Sequence, residues 1–302
     1  MTCTSHTKLF DLPLKRCAHL ALLLLALPSL TLAANAPCDS ASEGCVPVGQ
    51  WDIGMSVGVG ARSNPVLGGR TIPLVILPKI SYYGKRFFLD NLELGYTLHE
   101  SQSTTLSAVA APGYDRAFFS RNDPQNFLLA GSIGGAGLSG NTYGALNHVP
   151  PSLPAQPSPA ELILRHARRV TYLAGLEWTF DYQRITGQLT ALREITGRHD
   201  GAEARMGLAT RLIDSKSKLT AAAGATWKSS AIVTYYYGAQ GVYEPGAAFN
   251  PFAKLSFARP LTKHWSITAF AHYEWLDRAI AKSPIVIDDH VATAFIGASY
   301  AF

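Results

Sequence analysis

The sequence predicts an all-β fold: a closed, antiparallel, up-and-down barrel that crosses an outer membrane, with twelve strands favoured and ten as the alternative. Three observations carry that expectation. The chain opens with an export leader, stretches of alternating apolar and polar residues recur through the remainder, and the last strand ends on an aromatic, Phe302.

The leader comes first. Lys8, Lys15 and Arg16 precede an apolar run over 20–27, and Pro28 is followed by the small-residue stretch Thr31-Leu32-Ala33-Ala34. That order is a signal peptide over 1–33, cut after Ala33 or Ala34, with an uncleaved anchor as the alternative. The run is short of the roughly 20 residues that a membrane-crossing helix needs. Cleavage removes Cys3 and Cys17 and leaves Cys38 and Cys45 in a periplasmic segment over 34–50. In an oxidising compartment a pair that closes a small loop is most simply a disulfide. Metal binding needs more ligands than this segment offers. Pro37 in front of Cys38 does not suit a lipoprotein signal.

Residues 51–302 are expected to form the barrel. Charged residues are scarce at 16%, aromatics reach 10%, and no apolar run after the leader is long enough for a transmembrane helix. Strands whose apolar residues alternate with polar ones give this profile. Lys and Arg are scattered, so nucleic-acid binding gains no support.

Period two is clearest in four stretches. Trp51, Ile53, Met55, Val57 and Val59 alternate with Asp52, Gly54, Ser56, Gly58 and Gly60. Leu92, Leu94, Tyr96 and Leu98 alternate with Glu93, Gly95, Thr97 and His99. The same pattern runs through 170–181 and 264–275. A soluble sandwich also alternates, but these runs have the length of a tilted membrane strand. Their large aromatics sit near the ends of the apolar faces, where interfacial girdles belong. Val57, Leu208 and Ile267 are therefore assigned to lipid, and Ser56, Gly207 and Thr268 to the lumen.

Strands are read near 51–60, 71–82, 86–98, 103–112, 170–181, 183–193, 202–213, 218–228, 249–259, 263–276 and 290–302. Bacterial single-chain barrels have even strand numbers. Counting short turns back from Phe302 places a twelfth strand between 113 and 169. Pro73 and Pro78 break the ladder of the second strand and call for a bulge, since a closed barrel has no free edge. Residues 150–159, five of them proline, cannot join a ladder and make a long extracellular loop within 113–169.

No catalytic, cofactor or metal residue is assigned from the sequence. His99 lies beside Glu100 and Ser101; His264, Ser266, His272 and Glu274 share one strand face. Ser266 and His272 would stand roughly 20 Å apart along a strand, too far for a nucleophile and its base. Residues 131–137 are glycine-rich but lack the Lys-Ser/Thr of a phosphate loop. Tyr235, Tyr236, Tyr237 and Tyr243 are read as an outer aromatic girdle or an exposed contact patch.

The stretch 70–89, with two prolines leading into Tyr82-Tyr83-Gly84-Lys85-Arg86-Phe87-Phe88, resembles the MipA/OmpV outer-membrane family. Leu94-Gly95-Tyr96, Tyr235-Tyr236-Tyr237-Gly238, Ser283-Pro284-Ile285-Val286-Ile287 and the terminal Tyr300-Ala301-Phe302 continue the resemblance. The segment 113–169 departs from it, lacking the family's acidic Asp-Gly connection. The resemblance implies a non-enzymatic envelope scaffold that contacts a lytic transglycosylase and a murein synthase; no catalytic residues are assigned in the family. Outer-membrane lipid, lipopolysaccharide and the barrel-assembly machinery are the other expected partners. A small solute pore, a surface adhesin or antigen, and a lipid-modifying enzyme are the alternatives.

Overall fold

The computed structural model describes residues 48–119 and 157–302, within a unit that runs from Cys38 to Phe302. The expected leader, the Cys38 and Cys45 pair and the stretch 120–156, with its glycine-rich and most of its proline-rich residues, lie outside the described residues.

Twelve antiparallel strands close a barrel in simple sequence order, with β1 pairing β12. They are β1 Gln50–Arg62, β2 Ile72–Tyr83, β3 Phe87–Asp90, β4 Glu93–Glu100, β5 Thr104–Pro112 and β6 Tyr172–Tyr182. There follow β7 Ile185–Glu194, β8 Ala202–Asp214, β9 Lys218–Lys228, β10 Ala248–Pro260, β11 Trp265–Trp275 and β12 His290–Ala301. Five short turns gather at the end that holds Gln50 and Ala301; apart from the tight turn between β3 and β4, the connections on the other side are longer. In an outer membrane these are the periplasmic and outer ends respectively.

Alternation sets the faces as the sequence predicts. Val57 (47% exposed), Leu208 (54%) and Ile296 (56%) point to lipid. Ser56, Thr268 and Ser299 point inward and are bonded to one another, Ser56 Oγ to Ser299 Oγ at 2.6 Å and Ser299 Oγ to Thr268 Oγ1 at 2.8 Å. Gly58 and Gly297 face each other across β1 and β12. A Cβ at Gly58 would lie 2.2 Å from the Ile296 carbonyl oxygen, so the two strands approach closely only because no side chain intervenes.

Aromatic pairs mark both membrane boundaries. Trp51 with Tyr82 (5.1 Å between ring centroids) and Trp265 with Tyr300 (5.0 Å) lie at the periplasmic end, and Tyr273 with Trp275 (4.7 Å) at the outer end. From Trp265 to Trp275 the rise along a strand tilted near 40° is about 25 Å, the height of an outer-membrane apolar band.

The twelfth strand is not where turn counting placed it. β5 pairs directly with β6, Thr104 opposite Phe180 through Pro112 opposite Tyr172, so no strand from 113–169 enters between them. Instead the single strand expected over 86–98 is a hairpin, β3 and β4, turning at Asn91 with φ 55°. A short polar residue that tolerates left-handed backbone is suited to that turn.

β3 is only four residues long, so most of β2 has no ladder partner on that side among the described residues. Ile80 directs its N–H to Asn91 Oδ1 (3.0 Å) and accepts from Asn91 N (2.7 Å), which fixes the direction of its backbone polar groups. In a strand, side-chain face and N–H direction alternate together. Pro78 lies opposite Met55 and Pro73 opposite Ala61, both on the lipid face with Ile80. Their nitrogens therefore point to the open side, where no hydrogen bond is lost. Pro73 reaches that face because Val75 and Ile76 are both exposed, at the register shift between Val57 and Gly60. A bulge is present, as the prolines demanded, but so, among the described residues, is a local free edge that a closed barrel had been expected to lack.

Candidate functional site

The outer connections fold inward and fill the barrel mouth. They contribute a 3₁₀ turn at Tyr114–Phe118 and three short helices, α1 Pro159–Leu164, α2 Ser230–Tyr237 and α3 Arg278–Ala281. α1 starts as its sequence dictates: Ser158 Oγ accepts from Glu161 N, Glu161 accepts from Ser158 N, and Pro159 opens the helix. α2 has no such side-chain cap, because Ser229 Oγ accepts from Ala202 N at 2.9 Å and so ties the helix to β8.

One apolar cluster unites these pieces. Ile163 of α1, Ile232, Val233, Tyr236 and Tyr237 of α2, and Ile280 of α3 are at most 2% exposed. They pack with Val109, Leu173, Leu192, Ala248 and Val291, the inward-facing residues near the outer ends of β5, β6, β7, β10 and β12. The plug is thus seated on strands from all round the wall.

Polar groups fix it in place. Lys228 Nζ, at the top of β9, donates to both carboxylate oxygens of Asp115 at 2.7 Å, and Tyr237 Oη donates to Asp115 Oδ1 at 2.7 Å. Ser283 Oγ donates to the Tyr237 carbonyl at 2.5 Å. Arg168 donates to the carbonyls of Tyr236 (2.9 Å), Ile163 (3.0 Å) and His166 (2.8 Å), and its guanidinium lies 4.3 Å from the Phe119 ring centroid. Burial, and then the Asp115 charge, raise the Tyr237 hydroxyl well above its ordinary pKa, so it remains a donor. Burial lowers the pKa of His199 in the β7–β8 connection, against the pull of Glu194. Its Nδ1 accepts from Gly201 N at 3.1 Å, a bond that needs the neutral ring.

Below the plug the wall is lined by paired polar groups. Arg205 donates to Glu203 at 2.6 Å and lies 4.0 Å from Glu93, with its guanidinium 5.0 Å from the Tyr114 ring. Glu177 accepts from Gln188 (2.5 Å) and Thr190 (3.2 Å), and Asn250 donates to Glu274 at 2.8 Å.

His99, Glu100 and Ser101 are exposed at the periplasmic end. Ser266, His272 and Glu274 face inward on β11, with Ser266 and His272 six positions apart. Among the described residues no group of His, Cys, Asp and Glu has metal-ligand geometry. The tyrosine run is neither girdle nor exposed patch: Tyr236 and Tyr237 are fully buried in the plug, and Tyr235 Oη accepts from Arg169 N at 2.9 Å. Helical winding of 230–237 turns them inward, and helix propensity in so short a segment gives no warning of that. On the lipid side a groove of about 690 Å³ is lined mainly by alanines, among them Ala61, Ala253, Ala271 and Ala294.

These features define a class: an integral outer-membrane β-barrel whose outer connections pack as an apolar cluster against its wall. Within that class, the chain belongs to the MipA family, whose model, described as MltA-interacting protein MipA, matches residues 56–302. The outer membrane protein YiaT of Escherichia coli (strain K12) is 22% identical over 259 residues, covering 82% of this chain and 91% of that one. Among solved structures, an outer membrane channel from Pseudomonas putida F1 aligns with TM-score 0.43 and 10% identity, over 88% of this chain and 100% of that one. A porin aligns with TM-score 0.34 and 7% identity, over 84% and 100%.

Proposed function

We propose that the barrel is a non-enzymatic scaffold of the cell envelope that holds murein-processing enzymes at the outer membrane. The family's description names an interaction with MltA, and the plug is the observation within this chain that favours a scaffold over a pore. An apolar cluster of the connections, seated on five strands at the mouth, favours rims that meet partners over a lumen that passes solutes. Glu177 with Gln188 and Thr190, and Asn250 with Glu274, pair within the wall, while Arg205 Nη2, Arg62 Nε and His272 Nε2 are buried with no hydrogen-bond partner among the described residues.

The expected leader and disulfide belong to the same proposal: 1–33 direct export, and Cys38 with Cys45 staples the segment ahead of β1. Lipopolysaccharide and the assembly machinery are the partners that any such barrel meets.

Crosslinking in intact envelopes, followed by identification of what co-purifies, tests the scaffold. A lytic transglycosylase or a murein synthase among the products is the expected result. Their absence, together with steady conductance of the purified protein in planar bilayers, would replace the scaffold with a pore.

A further inference from the structure

The two ends of the barrel differ in charge. The five periplasmic turns, 84–86, 101–103, 183–184, 215–217 and 261–264, carry five Lys or Arg and no Asp or Glu. The described residues of the outer connections carry eight Lys or Arg against seven Asp or Glu. The five cations, Lys85, Arg86, Arg184, Lys216 and Lys263, are all exposed, and none has an ion pair among the described residues. Most carboxylates of that end sit on strand ends and are already engaged: Asp52 with Lys79, Asp181 with Thr186, and Asp214 with Arg211.

We propose that this ring of periplasmic turns docks on murein, gripping the free carboxylates repeated along its peptide stems. The choice of ligand follows from magnitudes. An exposed ion pair contributes about 0–1 kcal/mol and is screened beyond about 8 Å at physiological salt. A small anion touching one turn would therefore not be held. Twelve strands at about 4.8 Å spacing and 40° tilt give a ring roughly 24 Å across, with four of its five turns charged. A polymer with carboxylates at repeated intervals can engage several turns at once, and multivalency then multiplies weak contacts. Murein is the polymer of that compartment with this chemistry. The proposal deepens the scaffold function and rests on it for the choice of polymer: a barrel that also grips the wall would hold its enzymes against their substrate.

Co-sedimentation of the full-length chain, folded in detergent, with purified sacculi tests it. Apparent affinity should fall about tenfold or more between about 50 and 300 mM NaCl. It should fall similarly in the combined variant K85Q/R86Q/R184Q/K216Q/K263Q, whose heat-modifiable gel mobility shows that its barrel is folded. Amidating the sacculus carboxylates should abolish pelleting. Undiminished pelleting of the variant, or of the native chain with amidated sacculi, would overturn the proposal. So would stronger competition by anionic phospholipid vesicles than by sonicated, still polymeric murein sheets matched for anionic charge, which would assign the ring to the membrane surface. Enzyme crosslinks in envelopes are read separately, so a scaffold without wall binding is a distinct result.

Discussion

Lys228 and Asp115, 113 residues apart in sequence, form a buried ion pair with both carboxylate oxygens 2.7 Å from Nζ. Their side chains are only 9% and 3% exposed, and the pair joins the top of β9 to the connection that follows β5. Tyr237 adds α2 to the same carboxylate. One acid therefore ties two pieces of the plug to each other and to the wall.

Removing that acid strands a buried cation. Asp115→Ala is expected to destabilise the plug by about 3–5 kcal/mol, the usual penalty for breaking a buried pair. Pairing it with Lys228→Met should recover much of the loss, because both charges are then gone. Hydrogen exchange in α2 reads the effect; equal protection in Asp115→Ala and the native chain would show that the pair does not hold the plug.

Acid should loosen the plug at His199. Burial depresses its pKa below the ordinary 6.5, so the unfolded connection binds the proton more readily than the folded one. Stability from the neutral ring is full above about pH 6.5 and is lost as pH falls from there toward the depressed folded value. His199→Asn keeps an acceptor for Gly201 N without titrating, so trypsin cleavage after Arg198 in the native chain, divided by that of His199→Asn at the same pH, should rise over that window; the ratio cancels the protease's own loss of activity in acid.

The two faces of β11 should label differently. Ile267→Cys should react with a lipid-soluble maleimide, whereas Thr268→Cys, beside Ser299 in the lumen, should be largely spared. Ile267→Arg is expected to destabilise by about 2–4 kcal/mol near the midplane. The reverse order would mean that the register of β11 is wrong by one residue, and equal labelling of both cysteines that its two faces do not meet different environments.

The edge of β2 should become adhesive once its prolines are gone. Proline on an exposed edge withholds the donors that another strand would need. Replacing both Pro73 and Pro78 by Val is expected to yield edge-paired dimers in detergent, seen as a doubled protein mass by light scattering. A strictly monomeric double variant would show that something else guards that edge.

Much of this was legible in the sequence. Trp51 through Val59 and Trp265 through Trp275 announce their faces because side chains in a strand alternate with period two, a local property of the backbone. Even the hairpin left a trace: Phe87 and Leu89 face out on odd positions and Leu94, Tyr96 and Leu98 on even ones, a change of parity across Asn91. Tertiary structure alone decided that β5 and β6 are neighbours, that β3 stops after four residues and so gives Pro73 and Pro78 an open side, and that Tyr236 and Tyr237 turn inward. Alternation does not encode these, since they depend on which distant segments meet. Asp115 finds Lys228 only once the wall has closed, and the burial that makes their contact strong exists only in the assembled barrel.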